Sequence, residues 1–178
     1  LNTFQLANFI APVLAVAGVA GGLGSGWLAN RLAARYGLHS QSWMIAVLKT
    51  IALPFLIWFY LTDNIYVAVG AYGIAILFQT CYLGPTFALI QTLAPVRMRA
   101  VWAAVTLLII NLIGLGAGPT MVGILSDALE PQFGVESLRY SLLCIGALTP
   151  VAIFSYWRAG LHLKWMAAEK NMAAAQTA

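Results

Sequence analysis

Five long apolar runs alternate with short polar breaks along this chain. They cover about residues 9–29, 43–61, 65–93, 100–125 and 138–161. A bilayer core about 30 Å thick takes roughly 20 helical residues at 1.5 Å each, so each run predicts one membrane-crossing helix. Barrel strands are excluded, because the runs lack period-two alternation and far exceed the roughly 9–11 residues such a strand needs. The breaks hold polar residues and turn formers: residues 31–41, the turn Thr62-Asp63-Asn64, residues 94–99 with Pro95, and residues 126–137 with Pro131 and Gly134.

Composition sharpens this picture. Hydrophobic residues make up 62% and charged residues 8%, against roughly 25% charged in a soluble domain, so lipid is the solvent that fits. A net charge of +4 does not point to nucleic acid, because the cations lie almost entirely between the apolar runs. Arg31, Arg35, Arg97, Arg99, Arg158, Lys164 and Lys170 fall on one side of a five-helix layout, and only Arg139 falls on the other, with Asp63, Asp127, Glu130 and Glu136. The positive-inside rule then puts the basic side in the cytoplasm, with the first residues outside and the last inside. Trp43, Trp58, Tyr60, Tyr66, Trp102, Tyr140, Tyr156, Trp157 and Trp165 fall near run ends, as interfacial belts require. Cys81 and Cys144 sit within apolar runs and read as buried thiols. The expected fold class is an all-α membrane protein with a transmembrane part over residues 1–165. A cytoplasmic tail over 166–178 is expected to prolong the last helix briefly and then fray.

Two stretches match without gaps. GWLANRLAARYG (26–37) and GILSDALEPQFG (123–134) both read G-x-L-x-[N/D]-x-L-x-x-x-[F/Y]-G. The first lies at a cytoplasmic helix end and the second at an outer one, the signature of an inverted repeat of three spans. Spans one and two then match spans four and five. The partner of span three falls upstream of Leu1, so the chain is expected to be a fragment. Its Leu start and the absence of a basic leader agree with that expectation.

GWLANRLAAR resembles the signature loop of the major facilitator superfamily, G-x-L-x-D-R-x-G-R-R/K, with Asn30 at the usual Asp and Ala34 departing at the glycine position. That loop joins helices eight and nine. The resemblance therefore implies helices eight to twelve, a partial C-terminal six-helix bundle whose N-terminal half is missing. LAPVRMRA (93–100), NLIGLGAGP (111–119) and VGILSD (122–127) resemble the Spinster-type lipid transporters. The resemblance implies secondary transport by alternating access, with proton coupling an option, of a lysolipid or a sphingosine phosphate-like amphiphile. Bacterial carriers for sugar acids and other organic anions share similar stretches and stay open as the alternative. The bacterial inner membrane is the expected location. The expected partners are the bilayer, a small-molecule or lipid substrate and the missing N-terminal half; nucleic acid and cofactors are not expected.

Polar residues inside the runs mark where chemistry could live. The third run holds Gln79, Tyr82 and Thr86 around Gly84-Pro85, where the proline removes a donor and breaks the ladder. A substrate path or gate is one reading, and a packing kink the other. Asn111 in the fourth run is costly in lipid unless it faces water or a partner, so it is placed in the cavity or in an interhelical bond. Asn8 lines an outer vestibule or is solvated at the interface. Gly18, Gly22 and Gly26 form a small-residue stripe for close packing, and Gly114 and Gly118 form another. Asn30, Arg31 and Arg35 anchor or gate the cytoplasmic end. Asp127 forms an outer gate with Arg139 or is simply solvated. Lys49 is about 9 Å past Trp43 and is read as snorkelling to cytoplasmic headgroups, or pairing with an acidic lipid.

An intramembrane enzyme is disfavoured. Leu23-Gly24-Ser25-Gly26 is not the Gly-x-Ser-Gly of rhomboid-type proteases, and His39 and His162 lie outside the runs. The two His and two scattered Cys lack metal-ligand spacing. A non-transporting scaffold or binding protein of the same fold stays open.

Overall fold

The computed structural model describes the backbone of residues 3–62 and 64–176, and the side chains of residues 11–62, 64–134, 136–169, 172, 175 and 176. The described residues are helical almost throughout. The α-helices are α1 (Thr3–Tyr36), α2 (His39–Leu61), α3 (Ile65–Gln79), α4 (Leu83–Leu93), α5 (Arg99–Ile109), α6 (Gly118–Phe133), α7 (Ser137–Gly146) and α8 (Thr149–Gln176). Short 3₁₀ turns stand at Thr80–Tyr82, Val96–Met98 and Gly134–Glu136, and a π segment at Ile110–Ala117. They combine into five stretches long and apolar enough to cross a membrane: Ala11–Tyr36, His39–Leu61, Ile65–Leu93, Val96–Phe133 and Ser137–Glu169. The expected all-α class with five apolar helices is what the structure shows.

Connections are tighter than the polar breaks suggest. Ala, Leu and Arg are good helix formers, so α1 continues through Arg31 and Arg35 to Tyr36, leaving only Gly37 and Leu38 before α2. Gly37 adopts φ 91°, and its N–H donates to Ala33 O at 2.9 Å. Gly134, the matching residue of the second repeat copy, ends α6 at φ 54° with its N–H on Glu130 O. These are the positive-φ glycines of the described backbone, and no non-glycine residue there joins them. Each copy of the motif thus ends in a glycine that stops its helix in a conformation L side chains resist. At α3 the side chain of Asn64 accepts from Tyr66 N–H at 3.0 Å and caps the helix; Asp63 lies outside the described residues.

The fifth apolar run is not one helix. It opens at Ala147 and Leu148, where Pro150 enters the first turn of α8. Helix α8 then runs through the tail to Gln176.

The chain divides into two compact units, Leu1–Thr86 with Pro150–Ala178, and Phe87–Thr149. In the first, α1, α2 and α3 pack on one another around Ala29, Met44 and Ile45, with Leu28, Leu32, Leu48, Tyr82 and Tyr156 closing over them. Helix α8 joins through Trp157, which stacks on Trp43 at 5.7 Å between ring centroids. Gly160 is buried against the Trp43 indole, which leaves no room for a Cβ there. In the second unit α6 packs on α7, with Ser126 Oγ 3.1 Å from Ser137 Oγ and Phe133 against Tyr140 at 4.3 Å.

Candidate functional site

The first unit gathers polar side chains where α2, α3, α4 and α8 meet. Pro85 has no N–H to give the preceding turn, and the α-helical ladder breaks just upstream as the 3₁₀ turn Thr80–Tyr82. Pro85 itself is fully buried. Gln79, Tyr82 and Thr86 follow at steps of three and four, so they share one face across the break.

That face meets two side chains from elsewhere in the unit. Lys49 Nζ donates to Gln79 Oε1 at 3.4 Å and lies 4.5 Å from the centroid of the Tyr82 ring, a cation–π distance. Thr86 Oγ1 and Tyr156 OH are 3.0 Å apart and share a hydrogen bond. All five residues are half-buried. The ammonium of Lys49 therefore points at a neighbouring helix, where the snorkelling expectation had it reach for headgroups. Lys49 stands near the middle of α2, roughly 15 Å from either end at 1.5 Å per residue.

The back of the same break seals against α1. Cys81 Sγ donates to Gly21 O at 3.3 Å, and Thr80 Oγ1 donates to Ile76 O and Leu77 O of its own helix. A Cβ on Gly21 would run into Leu77 O and Thr80 Oγ1. The close approach of α1 is thus made at Gly21. At Gly18, Gly22 and Gly26, the stripe picked out by its period of four, an added Cβ meets nothing within 4 Å. An apolar groove of about 510 Å³ also runs between α1 and α3, lined by Pro12, Val13, Val16, Gly70, Ile74 and Leu77 among others.

The other sequence candidates are placed as follows. Asn111 is exposed in the second unit and donates its amide to Leu107 O, one turn back in its own helix. It sits in the π segment, which ends at Ala117, two residues before Pro119. Pro119 has no N–H to offer, and Gly114 and Gly116 leave room for the wider turn. Asp127 is exposed; Arg139 Nη1 is 3.8 Å from Glu136 Oε2, one turn away. Asn30, Arg31 and Arg35 are exposed on the last turns of α1, with Arg31 5.3 Å from the Trp27 ring centroid and Arg35 5.6 Å from that of Tyr36. The side chain of Asn8 lies outside the described residues.

Two members of the cluster escaped the sequence reading of the site. Lys49 was visible as a charge in an apolar run, but its direction depends on how α2 meets α3. Tyr156 passed for an interfacial aromatic. Gln41 was missed as well: it is buried at the start of α2, and its Nε2 donates to Ala29 O of α1 at 3.4 Å.

Five helices long and apolar enough to cross a membrane define a polytopic α-helical integral membrane protein. The chain is 33% identical over 148 residues to an MFS-type efflux pump of Mycolicibacterium smegmatis. The match covers 83% of this chain and 34% of that protein, so the chain spans about a third of the length of the curated relative it matches. This homology supports membership of the major facilitator superfamily; it does not reach the Spinster-type branch. No family model and no solved structure matches the chain.

Proposed function

We propose that this chain is part of a secondary transporter that exports an organic substrate by alternating access, with the polar cluster at Gln79, Tyr82 and Thr86 on the substrate path. One observation carries the reading. Five polar side chains from three apolar spans converge beside a proline-associated break. Polar groups there are costly, and a water-filled path accounts for their retention. The description of the relative as an efflux pump supports export.

Asn111 and Asn8, polar residues in or beside apolar runs, are further substrate contacts. Gly22, Gly26 and Gly118 serve packing against the rest of the protein, and Pro85 serves as a hinge. Asn30, Arg31, Arg35 and Asp127 act at the gates. The basic helix ends face the cytoplasm of a bacterial inner membrane. Residues 1–165 form the transmembrane part and 166–178 the cytoplasmic tail.

An amphiphile of the lysolipid or sphingosine phosphate-like kind, as in Spinster-type carriers, is the first substrate class; an apolar groove of about 510 Å³ suits an acyl chain. The mid-helix ammonium of Lys49 favours a second class, a sugar acid or other small organic anion.

The test is flux of a labelled lysolipid and a labelled sugar acid through proteoliposomes of the full-length gene product, with and without a proton gradient. Gln79→Ala and Asn111→Ala should each cut flux several-fold at unchanged expression. A protein that moves neither class is a scaffold or binding protein, and normal flux in both variants removes the cavity assignment.

A further inference from the structure

We propose that Lys49 is the counter-charge for an oxyanion, a phosphate or carboxylate group, on the molecule this site handles. The inference deepens the transport reading and rests on it for the identity of the site. Its starting point is an imbalance of charge. Lys49 lies near the middle of α2, and what its ammonium faces is neutral: the Gln79 amide oxygen at 3.4 Å and the Tyr82 ring at 4.5 Å. An amide dipole and a ring quadrupole orient an ammonium, but they do not cancel its charge.

No carboxylate among the described residues forms an ion pair with it. The acidic residues of the chain are Asp63, Asp127, Glu130, Glu136 and Glu169, and the nearest in sequence, Asp63, falls beyond the end of α2. A lysine ammonium has three donors, and Gln79 accepts one. The residue is half-buried, and no acceptor besides Gln79 takes a hydrogen bond from its ammonium among the described residues. A cation held this way in an apolar helix wants an anion that comes and goes.

The geometry also says which part of a substrate Lys49 would read. The α1–α3 groove uses Gly70, Gly73, Ile74 and Leu77 of α3, a single helix face. Gln79 lies about 200° around the helix from Leu77 at roughly 100° per residue, on the opposite face. Lys49 therefore recognises the charged group without an acyl chain in that groove.

Three probes test this on purified full-length protein in detergent: glucuronate (an anion without a chain), lysophosphatidate (an anion with a chain) and monoacylglycerol (a neutral chain). At least one anionic probe should bind wild type, and Lys49→Met should weaken that binding by about tenfold or more while Lys49→Arg keeps most of it. Monoacylglycerol should be indifferent to both substitutions. A second variant covers the case in which Lys49→Met fails to fold. Gln79→Glu gives the ammonium an internal carboxylate, and should raise Tm while weakening the same anionic probe.

Four results overturn the proposal: no anionic probe binds; Lys49→Met binds it as wild type does; neutral binding falls in parallel; or Gln79→Glu leaves anion affinity unchanged. Flux of the same probes separates the two levels of the argument. Lys49-dependent binding without flux sustains the anion site and sinks the transport reading. Flux that ignores Lys49 sinks the anion site alone.

Discussion

Two of the proline-associated breaks in the apolar runs, those before Pro85 and Pro119, take opposite forms. Before Pro85 the helix tightens into a 3₁₀ turn at Thr80–Tyr82; before Pro119 it widens into a π segment at Ile110–Ala117. Cys81 in the first break is buried against Gly21, and the polar side chains around it reach other helices of their unit. Residues 111–117 of the second are exposed within theirs, and Asn111 spends its amide on its own backbone. A proline thus makes a break available, and packing decides its use. Where a neighbouring helix presses on the break, polar groups are directed across to partners; where none does, the helix absorbs the missing bond by changing pitch.

The sharpest way to break that contrast is to crowd both sites. A valine at Gly21 drives a side chain into Leu77 O and Thr80 Oγ1, backbone and near-backbone atoms that cannot swing aside. Gly21→Val should cost the upper end of the roughly 1–3 kcal/mol typical of overpacking, read as a drop in Tm and in monodisperse yield. Gly114→Val meets nothing within 4 Å of its Cβ and should change Tm far less. Equal losses would mean the second break is as tightly packed as the first.

A smaller effect is expected from the charged partner. Gln79→Leu removes the acceptor of a half-buried ammonium, and hydrogen bonds to charged groups contribute about 1.5–3 kcal/mol. Thermal unfolding should show a loss toward the lower end of that range, because the Tyr82 ring stays in place. An unchanged Tm would mean that Lys49 is served equally well elsewhere.

The Thr86–Tyr156 bond comes next. Interhelical hydrogen bonds in membranes average about 0.6 kcal/mol in double-mutant cycles, and a cycle of Thr86→Val with Tyr156→Phe should return a coupling of that order. A coupling of zero would reduce this side of the cluster to proximity.

How much of this was legible beforehand follows from where each feature is encoded. The all-α membrane class is written in the chain itself, because apolar runs of this length with so few charges have one solvent. Gly37 and Gly134 were legible as matching ends of a repeat, since helix stops are local. Gly84-Pro85 announced a break but not its sense, because tightening or widening depends on what packs alongside; Gly118, before Pro119, reads in the sequence only as part of a packing stripe. Gly21 was passed over for the regular stripe at Gly18, Gly22 and Gly26; periodicity finds a face, and only the approach of α3 decides which face is used. The Lys49–Gln79 and Thr86–Tyr156 pairs join residues far apart in sequence, so their register belongs to the tertiary fold.

The smallest expected effect is at Asn111, and it carries the most information about the second break. Its amide bonds Leu107 O at 2.9 Å, a carbonyl one turn back. Bonds of this back-bonding kind are replaceable, and an exposed leucine suits an apolar surface better than an exposed amide. Asn111→Leu should therefore leave Tm within about 0.5 kcal/mol of wild type. Flux then separates the remaining meanings of the residue. Flat stability with reduced transport assigns the amide to the substrate. Flat stability with normal transport makes the π segment an answer to Pro119 alone. A clear loss of stability would show that Asn111 has a protein partner, and the second break would then be used much as the first one is.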